Sequence, residues 1–208
     1  MILLIKREFF LRNTLEVAKD LLGTVIHRRI DSKTLRVRIV ETEGYLGVED
    51  RAAHTFEGVR TPRNEVMYSQ GGTMYVYFTY GMHYLMNFVT EEEDNPRGVL
   101  IRGVQPLNEW DFISQRRFGK DFVHLNTYQR KNLTNGPAKL TQALGIDLND
   151  NGSNLFREDF YLEKGEKDFH IVTDRRVGID YAQEAITYPY RFFIKDNPYV
   201  SKGILKKL

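Results

Sequence analysis

Midway through residues 36–54 the sequence changes character, and that change limits which folds are open to the chain. Val37 and Ile39 alternate with Arg36 and Arg38, the period-two pattern of a half-buried strand. The same period puts Glu41 and Glu43 on one face. Like charges side by side repel, so a strand meant only for a core has no use for the pair. Gly44 permits a bend directly after Glu43, and Tyr45 then brings a flat ring close to that carboxylate. His54 follows from the next loop or short helix. A carboxylate, a phenol and an imidazole in so short a span point to a pocket that holds something flat and moves protons on it. The plain alternative is a strand end with a solvated acidic turn, and the stretch by itself leaves both open.

Residues 72–89, GTMYVYFTYGMHYLMNFV, form a second unusual stretch. It reads as a β-hairpin turning near Tyr80-Gly81, because Gly81 accepts the positive φ that hairpin turns require. Tyr75 and Phe78 are expected to pack inward with the other strand aromatics. Tyr80 stands at the tip, where a core cannot easily reach it. An aromatic there is a candidate for binding or for wedging between bases.

The rest of the chain supplies a frame. Residues 14–22 predict an amphipathic helix with Thr14 as N-cap and Gly23 just past its end. Residues 24–31 and 34–41 predict a hairpin turning at 31–33. In TPRNEVM, residues 61–67, Pro62 after Thr61 predicts a short helix, and Arg63 and Asn64 either bind phosphate or tie down the loop. The acidic loop 91–97 needs no function. Residues 98–106 read as a short buried strand holding one arginine, Arg102. A buried arginine is costly unless paired, and Glu43 is a candidate partner.

Further on, residues 107–120 predict a helix ending near Gly119, and residues 135–146 one running from Pro137 to Gly145, with Lys139 near an N-terminus suited to phosphate. Short strands are expected at 160–163, 169–172 and 190–194. With no repeat and no linker, residues 1–208 read as a single α+β domain with a curved antiparallel sheet, flanking helices and a protruding hairpin.

Composition removes whole classes of function. There is no cysteine, which excludes disulfides and thiolate metal sites. The opening MILLIKREFF is too short and wrongly charged for a signal peptide, and no apolar run approaches the ~20 residues of a membrane span. The expected compartment is therefore the cytoplasm. A net charge of +2 permits a nucleic-acid partner only if the basic residues cluster.

The strings RIVETEGYLGVEDRAAH, TPRN, GTMYVYFTYGMHYLMN, GPAKLTQALGI and RFFIKDNPYVS, in this order, resemble the alkyladenine (3-methyladenine) DNA glycosylase family of the mammalian type, which also occurs in bacteria. The likeness runs from about residue 15 to 200. It implies a monofunctional hydrolase that acts on damaged purines in double-stranded DNA as a monomer, with neither cofactor nor metal. Glu43 matches the general base. Arg102 and the backbone carbonyl at or near Val177 match the groups that position the attacking water. Tyr45 would stack on one face of a flipped base, with His54 and Tyr77 on the other. Asn87 would exclude normal guanine through its 2-amino group. Tyr80 would fill the gap in the duplex, with Met82 beside it and Arg63 nearby on the DNA. The sequence departs from the pattern after His54, where it reads Thr-Phe-Glu-Gly, and at His83. A DNA-binding module without turnover and a small-molecule enzyme on a similar fold are the alternatives; retention of Glu43 with Arg102 argues against the first, and Tyr80 at a tip against the second.

Counting alone yields one further expectation. A two-residue turn would put Asn87 and Tyr77 on opposite faces, whereas the loop Tyr80-Gly81-Met82 pairs Thr79 with His83, Tyr77 with Leu85 and Tyr75 with Asn87. If Tyr77 and Asn87 share a pocket, the loop has an odd number of residues or a bulge precedes Asn87.

Overall fold

The computed structural model describes residues 3–201. Helices α1 (Arg7–Phe10) and α2 (Thr14–Asp20) lead into strands β1 (Val25–Ile30) and β2 (Lys33–Tyr45). Strands β3 (Met74–Thr79), β4 (His83–Thr90) and β5 (Arg97–Pro106) follow, then helices α3 (Trp110–Phe118), α4 (Thr127–Lys131) and α5 (Pro137–Leu144). Strands β6 (Phe160–Glu163), β7 (Ile171–Asp174) and β8 (Arg191–Ile194) complete the order. All the strands join one strongly curled antiparallel sheet, in the order β3-β4-β5-β2-β1-β6, with β8 between β2 and β7. The α+β architecture with a curved sheet is as the sequence predicts.

Strand β2 is the hub. It pairs with β5 along one edge, and with β1 and then β8 along the other. Leu35, Val37 and Ile39 are fully buried in the core. Unbroken alternation would carry Glu41 and Glu43 into that same core. Instead the register slips: Ile39 pairs with Val104, Glu41 with Gly103 and Thr42 with Ile101, so Val40 and Arg102 are extra residues on their strands. The added residue at Val40 reverses the alternation. Thr42 now faces α2, where its hydroxyl donates to the Ala18 carbonyl at 2.8 Å. The two glutamates turn to the opposite face, where both meet Arg102.

The hairpin β3–β4 has the register that counting requires. Thr79 pairs with His83, Tyr77 with Leu85 and Tyr75 with Asn87, around the loop Tyr80-Gly81-Met82. Tyr80 and Gly81 both have positive φ, +53° and +67°, and the Met82 amide closes the turn on the Thr79 carbonyl at 3.2 Å. Val76, Met86, Phe88, Val99 and Ile101 line the core face of these strands.

Several local expectations are corrected. The N-cap of α2 is Asn13, whose side chain accepts the Leu15 and Glu16 amides; the Thr14 hydroxyl is buried instead against Thr90 and the Glu91 carboxylate. Phe78 does not pack inward: it is exposed and leans on Tyr84, its partner one pair short of the hairpin loop. Residues 61–64 form a turn before a 3-10 helix at Glu65–Tyr68. The buried Asn64 ties that turn down: its Oδ1 accepts from Thr61, and its Nδ2 donates to the His54 and Val59 carbonyls. The acidic loop has a structural use, since Glu91 also accepts from the Thr14 amide, Asn95 and Arg97. Strand β5 is longer than expected, and β7 begins at Ile171 rather than 169. At α5 the ammonium of Lys139 is spent on Asn132 Oδ1 (2.7 Å) and Asn135 Oδ1 (2.8 Å) rather than facing outward for a phosphate.

Candidate active site

One row of side chains crosses four strands on the face away from the core. Glu43 pairs with Leu100, Leu100 with Asn87, and Asn87 with Tyr75. Residues paired across an antiparallel sheet share a face, so the row is a floor. Above it lies a cavity of about 380 Å3, walled by Tyr45, His54, Tyr75, Tyr77, Asn87 and Arg102, with Tyr80, Tyr181 and Arg63 at its mouth.

Glu43 is fully buried beneath this wall. Its Oε1 accepts the Val177 amide at 2.8 Å. Its Oε2 accepts the Tyr45 hydroxyl at 2.9 Å and Arg102 Nη1 at 3.4 Å. The three donors all border the cavity, so the carboxylate sits one layer below it. Three accepted bonds leave one of about four acceptor positions of a carboxylate open. Val177 meets Glu43 through its amide, a contact the sequence reading did not foresee.

The neighbours set the electrostatics. Burial and then the Glu43 charge push the Tyr45 phenol well above its ordinary value, so it remains a donor to that carboxylate. For Arg102, burial opposes the charge, but Glu43 and then Glu41 outweigh it and raise the pKa. Burial lifts Tyr75 to about 12 and also raises Tyr77. His54 moves the other way, down to about 4, first by desolvation and then by the Arg63 charge. Much of the His54 surface looks into the open cavity, so water there screens the effect, but its direction follows from the walls. The ring stands edge-on to Tyr77 with centroids 4.5 Å apart, and Nδ1 shares a hydrogen bond with the Tyr75 hydroxyl at 3.0 Å.

A second cation backs the site. Arg176 is buried, holds Asp50 with both terminal nitrogens and donates to the Gly44 carbonyl at 2.9 Å. Its guanidinium lies 4.7 Å from the Tyr45 ring centroid and 5.2 Å from that of Tyr190. It holds the Tyr45 ring and the loop carrying Val177 in one piece.

The residues singled out from sequence thus divide by place. Tyr45, His54, Tyr77, Asn87, Arg102 and Val177 converge on the cavity with Glu43 under it. Tyr80 is 83% exposed at the hairpin tip. Arg63 lies over the Tyr77 ring, 5.5 Å from its centroid, and bonds the Phe78 carbonyl. Met82 stands apart, exposed beside a second hollow with His83, Tyr84 and Arg116. Sequence reasoning missed Arg176, Ser201 and Tyr181, and it gave Glu41 no partner. An arginine pair in DRRVGID was visible, but its partner Asp50 lies 126 residues away.

The fold and site describe a cavity walled by aromatic side chains at the foot of an exposed aromatic hairpin. Residues 8–198 match the model of the family described as Methylpurine-DNA glycosylase (MPG), and the chain belongs to that family, whose members are DNA glycosylases. A protein of Clostridium beijerinckii is 48% identical over 202 residues, covering 96% of this chain and all of its own length. One of Desulfitobacterium hafniense is 50% identical over 196 residues, 94% of this chain and 97% of its own length. One of Clostridium acetobutylicum is 47% identical over 202 residues, 97% and 98%. Each of these relatives bears the name "Putative 3-methyladenine DNA glycosylase".

Proposed function

We propose that this single domain flips alkylated or deaminated purines out of duplex DNA and hydrolyses the N-glycosidic bond with a water activated by Glu43. A base within a stack cannot reach a buried carboxylate, so the nucleotide must leave the duplex at a cost of about a few kcal/mol. Tyr80 enters the minor groove and occupies the gap, which offsets part of that cost. Tyr45 stacks on one face of the base, His54 and Tyr77 meet the other, and the rings favour an electron-poor, alkylated purine. Asn87 crowds the position of the 2-amino group of normal guanine.

The chemistry is a displacement at C1′. The water oxygen attacks C1′ while Glu43 takes its proton. The C1′–N bond breaks, and its electron pair goes to the purine nitrogen. A cationic base such as 3-methyladenine leaves as a neutral molecule, so it needs little acid assistance, and the products are free base and an abasic sugar. Arg102 and the Val177 backbone orient the water. No lysine enters the scheme as a Schiff-base nucleophile, so the strand remains intact.

The observation that carries this reading is the row Glu43–Leu100–Asn87–Tyr75 under an aromatic-walled cavity. The test is release of free base from methylated duplex DNA, with the abasic strand cut only by later alkali. Binding without release supports a module that has lost turnover, and hydrolysis of free nucleosides supports a small-molecule enzyme.

A further inference from the structure

Strand β2 carries two buried carboxylates, and the chemistry above uses only one. Glu41 is as fully buried as Glu43, and a buried carboxylate is costly unless donors surround it. Glu41 has four. Its Oε1 accepts from Arg102 Nε (3.1 Å), Arg191 Nε (2.7 Å) and the Ser201 hydroxyl (2.8 Å), and its Oε2 accepts the Ser201 amide at 2.6 Å. The same hydroxyl accepts from Arg102 Nη2 at 3.2 Å. Arg191 Nη2 in turn donates to the Ser201 carbonyl at 2.9 Å.

Arg102 is therefore held on three sides, and the contact with Glu43, at 3.4 Å, is the longest. A guanidinium is a rigid planar fork. Fixing Nε on Glu41 and Nη2 on Ser201 fixes the direction in which Nη1 points, which is toward Glu43. The segment that delivers Ser201 is itself anchored. Asn197 Nδ2 donates to Gln105 Oε1 at 3.0 Å, and the Tyr199 amide to Asn197 Oδ1 at 3.0 Å. It passes so close to the bulge that a Cβ on Gly103 would lie 2.6 Å from the Tyr199 carbonyl oxygen.

We infer that Ser201 and Glu41 are positioning residues for Arg102: the segment after β8 latches onto the β2–β5 bulge and aims the guanidinium at Glu43. The inference rests on the reading of Glu43 as the base and Arg102 as its partner. Ser201 does not line the cavity, so it acts on the rate of bond breaking through Arg102 and not on capture of DNA.

The experiment compares wild type, Ser201→Ala, Ser201→Cys and Ser201→Thr. The first readout is the single-turnover rate of 3-methyladenine release from methylated duplex DNA under enzyme excess. The second is the Kd for a duplex containing a tetrahydrofuran abasic analogue. Ser201→Cys keeps the volume while weakening the hydrogen bonds, so it tests the inference even if the alanine variant fails to fold. Loss of a hydrogen bond to charged groups predicts a rate about tenfold lower in the alanine and cysteine variants, with Kd within about twofold of wild type and the rate restored in Ser201→Thr. Rates within about twofold of wild type in the cysteine variant, a loss shared equally by the threonine variant, or a parallel loss of DNA binding each overturns the inference. Absence of base release by the wild type defeats the reading of the function instead.

Discussion

Asn87 is fixed in place before any guest arrives. It is buried, and its Nδ2 donates to the Tyr75 carbonyl at 3.3 Å, directly across the strand pair. Under the proposed function, a side chain so held rejects by bulk, because it cannot swing aside cheaply. Asn87→Ser opens that space, and release of undamaged guanine relative to 7-methylguanine from one methylated duplex rises by roughly tenfold; an unchanged ratio removes Asn87 from the selection. His54 makes a pH prediction. Its folded pKa of about 4 lies below its ordinary value of 6.5, so between those pH values the unfolded chain binds more protons than the folded one. Stability then falls as pH drops from about 6.5 toward 4, and the His54 share is whole above that window. His54→Gln replaces the titratable imidazole with a group that binds no proton in either state, so it flattens the fall in Tm across this window, whereas an equal slope in both proteins contradicts the assignment. These two residues were legible as candidates, since each stands out in type within its stretch. Asn64 was legible too, as a residue that either binds phosphate or ties down its loop, and it does the second; Glu91 was not, because its value lies in partners that local pattern does not reveal.

At the scale of elements, the hairpin was the most legible part. Alternation and a shared pocket face together permit few loop lengths, and the three-residue loop of the structure is one of them. The double bulge at Val40 and Arg102 was not legible. It depends on how two strands 61 residues apart accommodate each other, and strict period two gave no hint that Glu41 and Glu43 leave the face of Val37 and Ile39. The exposed tip predicts a division of labour. Affinity for undamaged duplex comes from cationic contacts to phosphate and falls with salt, whereas Tyr80 acts only where a base has left the stack. In Tyr80→Ala, binding to undamaged duplex therefore stays within about twofold of wild type while the single-turnover release rate drops by at least about tenfold. Equal losses on both duplexes argue against a wedge.

At the scale of the molecule, the site is a product of closure. Val177 lies between β7 and β8 and Asn87 on β4, and a curled sheet brings both to one cavity, with Glu43 of β2 beneath it and Ser201, beyond β8, behind Arg102. The α+β class and most of the strands and helices were readable from periodicity and turn signals, but α1 and α4 were not, and the cap of α2 fell on Asn13 rather than Thr14. The convergence of distant segments was not, because buried ion pairs such as Arg176 with Asp50 leave no periodic trace. The central claim is that this enclosure makes Glu43 a base that drives hydrolysis. The most direct measurement is single-turnover release of 3-methyladenine from methylated duplex DNA by wild type and by Glu43→Gln, alongside binding of an abasic-analogue duplex. Glutamine keeps the shape but cannot take the proton, so the rate falls by about 10²–10⁴ while Kd changes little. A variant that releases base within a few fold of the wild-type rate contradicts the account.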